Sequence, residues 1–82
     1  MSLRKDWERV KDDVMYQICK EKFTNNPQLT KQLLDTGNIQ LIEYNNWGDR
    51  YWGVYRGRGT NVLGNILMRI RKELKHEAFF TA

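Results

Sequence analysis

The sequence predicts one small α+β domain, and three observations predict it. Apolar residues recur at helical spacing in three separate stretches. Between the second and third of these, one short run alternates in the manner of a strand and a second short strand follows a glycine-containing loop. The whole is 82 residues long, enough for a single domain (residues 1–82) and no more. A chain of this size hides only about 60–65% of the surface its unfolded form exposes, so modest stability is expected.

The first helix is predicted over residues 3 to 24. Leu3, Trp7, Val10, Val14, Ile18 and Phe23 recur at intervals of three to five and form its inward stripe, with Ser2 available as N-cap. Asn25-Asn26 stops it. Asn26-Pro27 then opens a short second helix, a cap followed by proline at the first turn, with Leu29, Leu33 and Leu34 inward. That helix ends at Thr36-Gly37, where Gly37 can take the left-handed C′ position. Ile39, Leu41 and Glu43 alternate with Gln40, Ile42 and Tyr44, which predicts a strand. The loop Asn45-Asn46-Trp47-Gly48-Asp49 leads to a second strand, Tyr51 to Tyr55, and Arg56-Gly57-Arg58-Gly59-Thr60 leads out of it. The last helix starts near Asn61, with Leu63, Ile66, Leu67, Ile70 and Leu74 on one face. A two-stranded hairpin is marginal in water, so these helices, a second copy or another chain must cover it.

Composition narrows the function classes. Forty per cent apolar residues and three tryptophans argue for a folded core rather than disorder. A net charge of +4 fits acidic partners, but Lys and Arg spread over solvated helix faces give the same total, so a nucleic-acid surface is not favoured. The lone cysteine, Cys19, excludes an intrachain disulfide, fits a reducing compartment and reads as packing among Met15, Ile18 and Phe23. No apolar run approaches the roughly 20 residues that span a bilayer, and no signal-peptide core opens the chain. The expected setting is the cytoplasm, without a membrane.

Most catalytic templates fall away. One His and one Cys do not make a metal site, so no metal is expected, and no cofactor is implied. His76 suits the last turn of a helix, where a cation is favoured. Gly57 to Gly64 has neither the Lys-Ser/Thr ending of a phosphate loop nor the glycine spacing of a dinucleotide fingerprint. Three features remain. Glu43 sits either at the rim of the apolar layer, where a carboxyl can serve acid–base work, or beyond the strand in solvent. Asp49, three residues before Trp52, is either a turn aspartate beside a core tryptophan or a carboxylate that stabilises charge on a sugar while the ring stacks on a base. The Arg56–Thr60 loop is either a plain connection or a phosphate cradle, with Arg56, Arg58 and Gly59 beside a helix start and Asn61 as cap or ligand contact.

The order Arg4-x-Asp6-Trp7, Val14-Met15, Lys22-Phe23, Asn26 and Leu33-Leu34-x-Thr36-Gly37 resembles the YbiA-like, or NADAR, family. The resemblance continues through Leu41-Ile42-Glu43, Asp49-x-x-Trp52-Gly53, Gly59-x-Asn61-x-Leu63-Gly64 and Leu67-Met68-x-Ile70-Arg71, and so covers nearly the whole chain. It implies a helix-rich α+β fold and hydrolysis of N-glycosidic bonds, in phosphoribosylated intermediates of riboflavin synthesis or in an ADP-ribosylated base. It assigns Asp49 to charge stabilisation or water activation, Trp52 and Trp7 to stacking, and Asn61 to sugar or phosphate hydroxyls, with Glu43 a further shared position.

A complete family domain is about twice as long, and its N-terminal half carries a Glu-His-Ala-Tyr-Gln-like helix that supplies an acidic residue. Nothing here matches that segment, so the chain resembles the C-terminal half alone. The implied protein is part of an N-glycosyl hydrolase, acting on a nucleotide-like or phosphoribosyl small molecule once a second chain or a homo-oligomer completes it. The alternatives are a non-catalytic binding module derived from that fold and, more weakly, a basic nucleic-acid binder using Arg56, Arg58, Arg69 and Arg71 with the exposed aromatics.

Overall fold

A computed structural model describes the backbone of residues 3–81 and the side chains of residues 10–77. It contains three helices: α1, Leu3–Thr24; α2, Pro27–Asp35; and α3, Val62–Thr81. The helix boundaries follow the local signals. Asn26 precedes α2 in an extended conformation with Pro27 in the first turn, and Gly37 sits just past its end at φ 65°. The Asn26 side chain does not cap α2. Its amide donates instead to the Lys22 carbonyl, and the Thr30 hydroxyl donates to that of Phe23, so the last carbonyls of α1 are satisfied from α2.

The core is small. Leu33 of α2 and Ile66, Ile70 and Leu74 of α3 are buried, and Ile70 is fully enclosed. Met15, Tyr16, Cys19 and Phe23 of α1 pack against them, with Trp52 and Leu41 from the connection. This corrects the predicted inward stripe of α1 in its middle: Phe23 packs inward as expected, and the Leu3 and Trp7 side chains lie outside the described residues. Val10, Val14 and Ile18 are exposed, and the side of α1 that meets the core lies nearly opposite. Periodicity located an apolar row but not which of two apolar sides the rest of this chain would cover.

The predicted α+β class and two-stranded hairpin are overturned: among the described residues there is no strand and no sheet. Only isolated bridges form, a parallel one between Tyr44 and Val54 and a tight turn closing Tyr55 on Arg58. The reason lies in where the backbone of residues 39–45 finds its partners. Ile39 C=O accepts from Arg71 Nη1 at 2.7 Å, and Leu41 N–H points at Met68 Sδ. Leu41 C=O accepts from Asn61 Nδ2 and Glu43 N–H donates to Asn61 Oδ1, both at 2.9 Å. Helix α3 and the residue before it take the place of a neighbouring strand. Only Glu43 C=O and Asn45 N–H reach Val54. The turn of a hairpin is present, with Arg56 and Gly57 both at positive φ as a two-residue connection requires. Its flanking strands are not.

Candidate functional site

The residues singled out in the sequence fall in the connection between α2 and α3, and one aspartate organises its middle. Asp49 Oδ1 accepts from the backbone N–H groups of Tyr51 (2.9 Å) and Trp52 (3.0 Å), an Asx turn that fixes the carboxylate. Asn45 does the matching work from the other side. Its Oδ1 accepts from Asp49 N–H at 3.0 Å, and its Nδ2 donates to Asp49 C=O at 2.8 Å and to Val54 C=O. Asp49 is thus held at its backbone by Asn45 and at its carboxylate by the residues that follow.

Asn61 is buried and sits at φ 57°, a left-handed conformation that asparagine tolerates better than most residues. Both ends of its amide are committed to Leu41 and Glu43. Its geometry is that of a clamp between the connection and α3. The helix start is filled in the same way. Thr60, Asn61, Val62 and Leu63 N–H groups donate to the carbonyls of Arg50, Gly53, Tyr51 and Trp52 respectively. The first-turn donors that a phosphate would need are therefore engaged by the loop, and nothing in this geometry favours the cradle over the plain connection.

Glycine is obligatory where these pieces meet. A Cβ on Gly53 would stand 2.1 Å from Glu43 O, one on Gly59 2.2 Å from Gly53 O, and one on Gly64 2.4 Å from Leu41 O. Such contacts with backbone atoms leave no room for a side chain.

The other predicted residues are placed as follows. Glu43 is exposed, with its backbone held in the clamp, and is among the residues lining an open apolar cavity of about 290 Å³ formed mainly by Phe23, Leu29, Leu33, Leu41 and Leu67. Trp52 is half-buried against the core, with Tyr51 edge-on at 4.9 Å. Arg56, Arg58 and Gly59 are exposed on the turn, and the Arg56 guanidinium lies 5.2 Å from the Tyr55 ring. The Trp7 side chain lies outside the described residues. Asp49, Trp52, Asn61 and the Glu43 backbone are thus joined in one hydrogen-bonded layer, while the arginines stand apart from it.

The roles of three sets of residues were missed. Asn45 had a local signal, an Asx side chain four residues before Asp49 in a polar turn. Arg71 was named as a shared family position and as a basic residue of the nucleic-acid alternative, but its structural role had no local signal: it is buried beside the end of α2, not presented to a partner, and bonds Thr36 Oγ1 as well as Ile39 C=O. The third is a polar cluster joining α1 to α3. The Tyr16 hydroxyl donates to Glu73, Lys20 reaches Glu73 at 3.3 Å and Glu77 at 3.0 Å, and the Arg69 guanidinium lies 3.9 Å from the Tyr16 ring centre. The bond from Tyr16 holds the Glu73 carboxyl below its ordinary range, against the opposing effect of burial and with help from Lys20 and Arg69. The same bond raises the Tyr16 phenol, and burial adds to it. Burial alone pushes the Cys19 thiol up, the direction of an inert packing residue. No three His, Cys, Asp or Glu side chains converge on a metal position among the described residues, and no described helix is long and apolar enough to cross a membrane.

Residues 2–75 match the NADAR domain. The chain belongs to the NADAR family. Its relatives include the N-glycosidase YbiA of Escherichia coli, 41% identical over 76 residues that make up 92% of this chain and 47% of that protein. A riboflavin biosynthesis protein of Vibrio vulnificus is 43% identical over 92% of this chain and 20% of its own length. The chloroplastic riboflavin biosynthesis protein PYRR of Zea mays is 45% identical over 88% of this chain and 12% of its own. This NADAR chain therefore spans about half of YbiA and a smaller share of the riboflavin proteins. No solved structure matches it.

Proposed function

We propose that this NADAR chain is part of an N-glycosidase acting on a phosphoribosylated or ADP-ribosylated base. The observation that carries the reading is its 41% identity, over nearly its whole length, to a protein named N-glycosidase. The Asp49–Trp52 turn supplies chemistry that suits it. In such a hydrolysis the bond from the sugar C1′ to the base nitrogen breaks, water oxygen bonds to C1′, and the base leaves with a proton. Positive charge grows on the sugar as the bond stretches, and a carboxylate fixed beforehand stabilises it without having to reorganise. Asp49 is such a carboxylate, and Glu43 is a second acid on the same stretch, exposed and able to take or give a proton. Trp52 and Trp7 offer ring faces for the base, and Arg56 and Arg58 offer positive charge for a phosphate. Asn61 acts by holding Leu41 and Glu43 in place. The small core and thin cover of the loops support completion by a complementary segment of the domain or by a second copy. The charge of a phosphorylated substrate hinders its passage through membranes, which supports the cytoplasm as the place of work.

The test is release of ribose 5-phosphate from a ribosylaminopyrimidine phosphate by the chain mixed with a complementary NADAR segment. Asp49→Asn keeps the Oδ1 acceptor for Tyr51 and Trp52, so it should leave Tm within about 2 °C and lower the rate at least about 100-fold. No release by a correctly folded complex overturns the reading. A non-catalytic binding module is the second reading, favoured by the internal hydrogen bonds that Asp49 and Asn61 already make. Ligand binding unaffected by Asp49→Asn, with no turnover, would select it.

A further inference from the structure

We propose that the outer face of α1, carrying Val10, Val14 and Ile18, seats an apolar-faced helix from the remainder of the NADAR domain. The inference rests on the reading that this chain works as part of a larger unit, and it names the surface that the rest of that unit covers.

Four residues apart, the three side chains form one i, i+4, i+8 ridge along α1, which is the kind of row that interdigitates with a second helix. Their exposures are 44%, 42% and 57%. On the nearly opposite side of the same helix, Met15, Tyr16, Cys19 and Phe23 pack on the core. Thus α1 is apolar on two sides, the pattern of a helix buried between neighbours rather than lying on a surface. Scattered exposed apolar residues are ordinary, but a continuous ridge on a long helix marks an interface.

The dimensions of the chain say how much is uncovered. It measures 45 × 34 × 17 Å, so its thin direction is less than two helix diameters. Its radius of gyration is 14.4 Å, against about 12 Å for a compact domain of this length. Its accessible surface is 6516 Å² for 9.9 kDa, against about 5,200 Å² for a folded monomer of that mass. The excess, about 1,300 Å², exceeds the roughly 800 Å² that one partner contributes to a standard stable interface.

Two occupants could supply that cover, and the observations favour one. YbiA carries this 76-residue unit as 47% of its length, so as much chain again accompanies it in that relative. A second copy would instead bring together two chains of net charge +4, a repulsion that opposes pairing. The occupant is a stretch equivalent to the part of YbiA outside the span that this chain matches.

The experiment mixes this chain with the stretch of E. coli YbiA outside the aligned residues and measures mass in solution by light scattering. A one-to-one complex is expected, weakened at least about 100-fold by Val14→Lys with Ile18→Lys. A chimera supplies the second measurement: YbiA with its own matched segment replaced by this chain. There the double substitution should lower Tm by about 10 °C, because it buries two charges in an interface. In the isolated chain it should shift Tm by no more than about 2 °C, because both sites face water. An unchanged complex or chimera overturns the proposal, and so does a chimera that does not fold. A homodimer of the isolated chain that the double variant dissolves overturns it in favour of a second copy. Association that forms as expected without release of ribose 5-phosphate refutes the glycosidase reading and leaves this one standing.

Discussion

Along the connection from Leu41 to Gly64, polar side chains and loop carbonyls meet the backbone groups of neighbouring segments, and glycines let those segments touch. On the outer face of α1, three apolar side chains stand in a row with water against them. Both regions belong to the same 82 residues, and they differ in where their partners are. The polar groups of the connection find partners within its own chain, although Tyr44 and Trp47 stand exposed on it. The helix face leaves its apolar row exposed. A chain can therefore settle the geometry of a candidate site while leaving unsettled what covers the scaffold beneath it.

The contrast breaks most severely at Gly53. A methyl group there meets Glu43 O at 2.1 Å, a backbone atom that cannot swing aside, and Asn45 Nδ2 at 3.0 Å. Gly53→Ala should cost about 4 kcal/mol or prevent folding outright. That is comparable to the whole stability of a domain this small. Urea unfolding, or recovery of soluble protein, reads the effect. Near-parental stability would show that the connection is not built as described.

Asn61 sharpens the comparison at a lower cost. Asn61→Ala leaves Glu43 N–H and Leu41 C=O without their side-chain partner and puts a Cβ-bearing residue with no local hydrogen bond at φ 57°. About 3 kcal/mol of destabilisation is expected. Asn61→Asp keeps the acceptor for Glu43 N–H but turns a buried carboxylate oxygen toward Leu41 C=O, so at least as large a loss should appear in the same denaturation series. A much smaller loss would mean that the amide does not donate to Leu41.

These residues also show what was legible beforehand. The helices were, because capping signals and apolar spacing are local: Pro27, Gly37 and the row from Leu63 to Leu74 define their elements within a few residues. The strands failed for the opposite reason. Ile39 to Tyr44 alternates like a strand, but its backbone is met by Asn61, Met68 and Arg71, residues 18 to 32 positions away. Nothing in the alternation encodes that a side chain, not a strand, will be the partner. The same distance hid what Arg71 bonds to, Thr36 and Ile39. Asp49 and Trp52 were found as a pair because their bond spans three residues, whereas the spent donors at the start of α3 depended on carbonyls that only the folded loop presents.

The smallest expected effect lies in the α1–α3 cluster, and it separates this polar seam from the apolar ridge on the far side of α1. Glu73 has its carboxyl depressed, so its contribution is present above the ordinary value of 4.5 and is lost as pH falls through the folded-state value. Tyr16 is raised, so its contribution is present below the ordinary 10.0 and is lost as pH rises through its folded-state value. Burial lowers the Lys20 ammonium, but its bonds to Glu77 and Glu73 outweigh that and leave it raised, adding to the same alkaline limb. Between these windows the contribution of the cluster does not vary with pH. Its members are partly solvated, so the total is about 1 kcal/mol or less. Melting curves from pH 3 to 11 should show Glu73→Gln flattening the acid limb and reducing the alkaline one, and Tyr16→Phe flattening the alkaline limb and reducing the acid one, because one bond shifts both groups. Val14→Ser on the opposite side should leave both limbs as they were. If Glu73→Gln keeps the parental acid limb, the seam does not hold α1 to α3 through this carboxylate.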